Sequence, residues 1–132
     1  MNLILTNAGS YPRIGDSPEL HILRQALARF DRGEATEADI RRAEDELVRR
    51  AIAEQIEAGL DVVTDGQIRW YDPISHLAGK LRGTKINGLL RYFDTNFYFR
   101  QPVIVDRLVR ERPILLEEYR YAVSYTHLRA HE

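Results

Sequence analysis

The sequence predicts an α/β fold built on parallel strands. Two apolar runs, Leu3 to Thr6 and Leu60 to Thr64, each stop at turn-forming residues: Asn7-Ala8-Gly9-Ser10 after the first, Asp65-Gly66 after the second. Continuous apolar runs ended by turn chemistry suit buried parallel strands. Between them lies a long stretch of helical periodicity, so the order is that of a βαβ unit.

The elements follow in turn. Tyr11 to Asp16 carries Pro12 and Gly15 and reads as a loop. Ser17 is a plausible N-cap and Pro18 suits the first helical position. Leu20, Leu23, Leu27 and Phe30 then share one helix face, and Gly33 supplies a stop. A longer helix is expected from Thr36 to Ala58, opened by a capping box of Thr36 with Asp39. Its inner stripe is Ile40, Ala43, Leu47, Ala51 and Ile52. Asp45 with Arg49, and Glu46 with Arg50, make i,i+4 pairs on a solvated face. Gly59 ends it.

Beyond the second strand, Gln67 to Pro73 is a polar and aromatic loop, and Ile74 to Leu81 reads as a short helix. Gly83 to Phe99 mixes Tyr92, Phe93, Phe97, Tyr98 and Phe99 with Asn and Gly, as in an irregular or hairpin insertion. Val103 to Val105 suits a strand end. Pro113 can open a further helix through Ile114, Leu116, Tyr119 and Tyr121.

Composition narrows the chemistry. Nineteen Lys and Arg face twenty Asp and Glu over 132 residues, a net charge of −1. That balance gives no electrostatic reason to bind nucleic acid or an anionic membrane. No cysteine occurs, which excludes disulfides, a Cys nucleophile, Cys-ligated zinc and iron–sulfur clusters for this chain. Leu3-Ile4-Leu5 is far too short to span a bilayer, and no Lys or Arg precedes Arg13. The expectation is a soluble cytoplasmic protein.

In parallel α/β folds, functional groups gather at the carboxyl ends of strands. The first end carries Gly9-Ser10-Tyr11-Pro12-Arg13: Gly admits a ligand to the backbone, Ser10 and main-chain N–H groups can bind a carboxylate, and Arg13 can pair with one. The same residues also read as a tight turn with a solvated Arg. The second end carries Asp65, Gln67, Trp70, Tyr71 and Asp72. Asp65 and Asp72 can bind an amino group or ring nitrogen, Gln67 can donate and accept, and the aromatics can stack on a flat ligand. The alternative is that Asp65 caps a turn and Trp70 fills a core edge. His127 and His131 have the spacing of a helical metal pair, but the central Glu of that motif is absent.

Thr6-Asn7-Ala8-Gly9-Ser10-Tyr11-Pro12-Arg13, followed by the run Gln55 to Arg69 with its Gly59-Leu60-Asp61-Val62 and Asp65-Gly66-Gln67, resembles the cobalamin-independent methionine synthase family. Arg100-Gln101-Pro102 is similar to a later stretch of that family. The resemblance covers residues 3 to 123 and implies the N-terminal portion of a (β/α)8 TIM barrel, about three strands with long helices. A complete barrel takes about 250 residues.

It further implies transfer of a methyl group from a folate-type donor to the thiol of homocysteine, with a zinc ion that holds the thiol as thiolate. By position, Gly9 and Ser10, with Arg13, Asp65 and Gln67, match substrate-binding loops. Trp70, Asp72 and Tyr98 are candidate contacts for the methyl donor. Gln67 stands where the family usually has a Glu that binds the substrate's amino group. The family's zinc ligands, two of them Cys, lie in the second half of the barrel, so no metal ligand is expected in this chain, and a fragment with no activity of its own is the expectation. Ser124 to Glu132 departs from the family pattern and resembles adapter read-through, which makes 124–132 a non-native tail. Two other readings stand beside this one: a related barrel, either a coenzyme M thiol alkyltransferase or a uroporphyrinogen-decarboxylase-like protein, and a small non-catalytic α/β binding domain.

Overall fold

The computed structural model describes residues 3–13, 17–96 and 98–129. Its elements are a 3-10 turn at Pro18–Leu20, α1 (His21–Asp31), α2 (Glu37–Glu57), α3 (Pro73–Ala78), β1 (Arg82–Arg91), β2 (Tyr98–Val109) and α4 (Leu116–Arg129). They fall into two compact units. One comprises the chain up to Arg69 and from Glu118 onward, the other Trp70–Glu117. Among the described residues no helix is long and apolar enough to cross a membrane.

In the first unit α2 is the central element. Thr36 and Asp39 form the predicted capping box, with the Thr36 N–H donating to the Asp39 carboxylate at 2.7 Å. The stripe of Ala43, Leu47, Ala51 and Ile52 is buried as expected, and Val48 and Gln55 join it. Leu23 of α1 packs there with Ile68, Tyr11, Tyr121 and Tyr125. Phe30, expected on the inner face of α1, is exposed; the buried stripe ends one turn earlier. On the outer face Glu46 takes both Arg49 (2.8 Å) and Arg50 (3.0 Å), each pair exposed and worth about 0–1 kcal/mol. Asp45 does not pair with Arg49 as the spacing suggests, but with Arg69 at 2.5 Å.

The predicted parallel strands are corrected by the structure. Leu3–Thr6 and Leu60–Thr64 do run side by side in parallel, but they meet in a single bridge, Thr6 to Val62. The N–H groups of Asp61 and Val62 both donate to the Leu5 carbonyl, at 3.0 and 3.1 Å. The side chains of Leu3, Ile4, Leu5 and Val62 are exposed rather than buried. Apolar runs suited to a two-sided sheet remain irregular when, among the described residues, no element covers their second face.

What holds the second run is a side chain. Gln55 is fully buried, and its amide takes the place of a neighbouring strand. Its Oε1 accepts from the Thr64 N–H at 2.9 Å, and its Nε2 donates to the carbonyls of Thr64 (2.9 Å) and Ala51 (2.8 Å).

The second unit is an antiparallel hairpin with a short helix. β1 pairs with β2 from Arg82 opposite Val109 to Arg91 opposite Tyr98, and the register slips at two bulges, between Arg82 and Thr84 and between Asn87 and Leu89. The insertion expected over Gly83–Phe99 is thus nearly all of β1, the turn and the start of β2, and Val103 to Val105 lies inside the longer strand; Phe97 lies outside the described residues. Alternating Thr84 and Ile86 and the run Val103-Ile104-Val105 supply the β-branched residues a pleated surface favours. Asp72 caps α3, and the Thr84 hydroxyl donates to the Ala78 carbonyl (2.8 Å), tying α3 to β1. The final helix starts at Leu116, three residues after Pro113, and continues to Arg129.

The Gln55 amide carries a stability prediction. Gln55→Ala leaves the half-buried Thr64 N–H and carbonyl without their amide partner and is expected to lower unfolding free energy by about 1–3 kcal/mol. Gln55→Glu places a carboxylate against two carbonyls. Its folded-state pKa must then rise, so its stability is best in acid and is lost as pH rises through that value. Urea denaturation of the three chains at pH 4 and pH 7 checks both; equal midpoints would show that the amide holds nothing.

Candidate functional site

Both loops that the sequence singles out end in the first unit, next to one another. Gly9 is buried with φ +87°, a backbone conformation that disfavours any other residue. Its N–H donates to the Asn7 side chain at 2.7 Å, and its carbonyl accepts from the Thr64 hydroxyl at 3.3 Å. A Cβ at Gly9 would stand 3.6 Å from the Gln67 Nε2, so the two loops touch where a side chain is absent. Ser10 is exposed beside this contact. Among the described residues its hydroxyl has no hydrogen-bond partner, which leaves it available to a ligand.

The second loop turns sharply. Gly66 (φ +72°) and Gln67 (φ +52°) are both left-handed. Gly66 sits against Tyr11 and Ala51, where a Cβ would come within 3.0 and 3.2 Å of theirs. The Gly66 N–H donates to the Thr64 hydroxyl (3.2 Å), the Gln67 N–H to Asp65 Oδ1 (2.9 Å), and the Tyr11 N–H to the Gly66 carbonyl (2.9 Å). Gly9, Ser10, Asp65 and Gln67 are therefore gathered at one end of the paired segments, as their sequence positions predict for strand ends.

Arg13 is placed differently. Its Nε donates to the Ile68 carbonyl, and its guanidinium lies 3.6 Å from Glu44, both side chains largely buried. Burial raises the Glu44 carboxyl above its ordinary range, and Arg13 works against that. Arg69 repeats the arrangement on the second loop. It pairs with Asp45 and lies over the Tyr121 ring, 4.8 Å from its centroid. The Tyr121 hydroxyl donates to the Asp45 carbonyl at 3.3 Å; burial, then the nearby Asp45 charge, pushes its pKa up. Neighbouring acids on α2 thus hold one arginine from each loop. Sequence reasoning did not find Glu44, Asp45 or Gln55 in these roles, since nothing in helical spacing alone distinguishes them from a solvated face or a core stripe.

A groove of about 570 Å³ in the same unit is lined by Tyr11, Pro12, Leu20, Leu47, Ala51 and Ile68, among others. Neither Ser10 nor Gln67 lines it; its polar rim is Ser17, Glu19, Arg50, Glu54 and Glu57.

The remaining candidates belong to the second unit. Asp72 and Tyr98 line one groove of about 420 Å³, together with Tyr71, Tyr92 and Phe99. Trp70 is not part of that lining; it stacks on His76, with centroids 4.9 Å apart. Arg100 lies over the Tyr71 ring at 4.6 Å. Asp72 accepts from the Ser75 N–H (2.7 Å), the Ser75 hydroxyl (2.6 Å) and the Arg100 N–H (3.1 Å). Burial alone would raise its carboxyl, but these donors outweigh it and hold the pKa below the ordinary 3.8. Of the histidine pair, His131 lies outside the described residues, as does the side chain of His127.

The Asp72 shift has a pH consequence. Because the folded value is depressed, the carboxylate stabilises the cap fully above the ordinary value of 3.8, and that contribution is lost as pH falls through the folded value. Hydrogen-exchange protection factors for the Ser75 and Arg100 amides are expected to drop as pH falls below that range. Asp72→Ala should lower them about fivefold at neutral pH, near the ~1 kcal/mol typical of a lost cap, and remove the pH dependence. Protection that ignores both acid and the substitution would contradict the capping role.

A family model described as cobalamin-independent synthase, catalytic domain, matches residues 3–131. A methionine synthase of Sulfurisphaera tokodaii is 35% identical over 123 residues, which is 92% of this chain and 34% of that protein. One of Saccharolobus solfataricus is 32% identical over the same length, 35% of its own. A 5-methyltetrahydropteroyltriglutamate–homocysteine methyltransferase of Thermotoga petrophila is 32% identical over 123 residues, 16% of that protein. The chain thus spans about a third of the length of the first two relatives.

Proposed function

Because the chain belongs to the cobalamin-independent synthase catalytic-domain family, we propose that it supplies the amino-acid-binding loops of a methyltransferase that methylates the thiol of homocysteine from a folate-type donor. In this reading it forms the opening portion of a (β/α)8 barrel, and its parallel Thr6–Val62 bridge is the start of that barrel's sheet. The protein would act in the cytoplasm on small molecules, with neither nucleic acid nor a membrane as partner. The supporting observation is the meeting of the Gly9 backbone with the Gln67 amide, beside the exposed Ser10 hydroxyl.

These groups suit the two ends of an amino acid. Ser10 can donate to its carboxylate, and the Gln67 carbonyl can accept from its ammonium group. The bare Gly9 backbone lets the α-carbon come close. Arg13 and Arg69, already paired with Glu44 and Asp45, hold the loops rather than the ligand. In the second unit the aromatic groove with Asp72 and Tyr98 is the proposed contact for the flat ring of the donor, and Trp70 adds a further ring close by in sequence.

The zinc of the family does not fit the residues present. The chain has no cysteine, and among the described residues no three His, Asp or Glu side chains gather in a metal-holding group. Activation of the thiol is therefore not assigned to this chain; its proposed part is to bind and orient the acceptor, without turnover by itself.

One observation favours a second reading. Gln67 is neutral, so it offers an ammonium group no countercharge. An acceptor thiol without an amino group, such as coenzyme M, fits it as well.

Calorimetric titration separates the two. Homocysteine is expected to bind, and Ser10→Ala to weaken it by about 1.5–3 kcal/mol, the range for a hydrogen bond to a charged group. Gln67→Glu should strengthen it by supplying a countercharge. If homocysteine fails to bind, or Gln67→Glu weakens it while coenzyme M binds well, the alkyltransferase reading takes its place.

A further inference from the structure

Gln67 adopts a backbone conformation that side-chain-bearing residues avoid, φ +52°, directly after the left-handed Gly66. Strain of this kind persists only where surrounding contacts impose it, and it concentrates at ligand sites. The contacts around this turn can be assigned one by one. Thr64 holds Gly66 through its hydroxyl, at 3.2 Å, and the Tyr11 N–H holds the Gly66 carbonyl, at 2.9 Å. Among the described residues a single hydrogen bond reaches Gln67 itself: its N–H donates to Asp65 Oδ1 at 2.9 Å. Thr64 is in turn fixed by the buried Gln55 amide and by its own bond to the Gly9 carbonyl. The turn is thus anchored firmly up to Gly66, and its last residue depends on Asp65.

We propose that Asp65 is a positioning residue that acts through Gln67. By accepting the Gln67 N–H, its carboxylate locks the left-handed turn that brings the Gln67 amide against Gly9. Without that bond Gln67 relaxes toward an ordinary negative φ, and its side chain leaves the Gly9 contact. Asp65 then sets the binding of an amino-acid ligand by geometry rather than by its charge. The proposal rests on the reading of these loops as an amino-acid site. It assigns to Asp65 a role that differs from direct pairing with an ammonium group.

The substitutions that separate the roles are Asp65→Ala, which removes the acceptor, and Asp65→Asn, which keeps an acceptor oxygen but loses the charge. Two readouts are needed on the whole chain. One is the Gln67 backbone conformation, from its amide-to-α-proton coupling and its hydrogen-exchange protection by NMR. The other is homocysteine affinity by calorimetry. Asp65→Ala should release the Gln67 amide and weaken homocysteine about tenfold or more, the scale of one misplaced hydrogen bond to a charged group. Asp65→Asn should restore the left-handed Gln67 and recover most of the lost affinity. If Asp65→Asn restores the turn but not the affinity, the carboxylate is a direct charge partner and the proposal is overturned. A Gln67 that stays left-handed in Asp65→Ala overturns it too. Should unsubstituted protein bind no homocysteine, the amino-acid reading fails on its own, while the NMR arm still decides whether Asp65 holds the turn.

Discussion

The first unit depends on one buried amide. Thr64 sits at the end of an extended segment that, among the described residues, bridges to Thr6 through Val62 alone. Gln55 reaches out of α2 and satisfies both its N–H and its carbonyl. The Gln55 amide is fully buried, and a buried polar group left unpaired costs more than an exposed ion pair contributes. The Gln55 contacts therefore outweigh the Glu46–Arg49 and Glu46–Arg50 pairs on the opposite face of the same helix. Through Thr64 the constraint passes to Gly9 and Gly66, so α2 sets the geometry of both loops.

Charge is used in the same way. Glu44 and Asp45 are adjacent on α2, and each takes an arginine from a different loop. Arg13 also donates to the Ile68 carbonyl, and Arg69 rests on Tyr121. Burial costs these pairs solvation, as the raised Glu44 carboxyl shows, and it makes them costly to break one-sidedly. Neutral groups, Ser10 and the Gln67 amide, are left where the loops meet.

The candidate residues were legible to different depths. Gly9, Ser10, Asp65 and Gln67 could be placed together because residues after neighbouring parallel segments share one end, whatever the length of the ladder. Asp72 and Tyr98 lie 26 positions apart and meet only because the hairpin folds Tyr98 back toward α3. Arg13 carried no local signal that its partner would be Glu44, since that contact spans the first loop, α1 and half of α2. Trp70 had no sequence cue for its stacking on His76.

The sequence alone determined α2 and both its ends. The capping box at Thr36, the apolar stripe from Ala43 to Ile52 and the stop near Gly59 are local, and local hydrogen bonding and periodicity decide them. It also determined the family, through two short motifs whose residues must sit in order. Tertiary structure decided the strands and the partners. Whether Leu3–Thr6 and Leu60–Thr64 extend into a sheet depends on what covers them, and whether Val103–Val105 joins a long hairpin depends on a partner strand. Gln55 reads as one more polar residue near a helix end. Only when Thr64 is brought beside it does its amide become the contact on which the loops rest, because a hydrogen bond gains that weight from burial, and burial is a property of the folded chain.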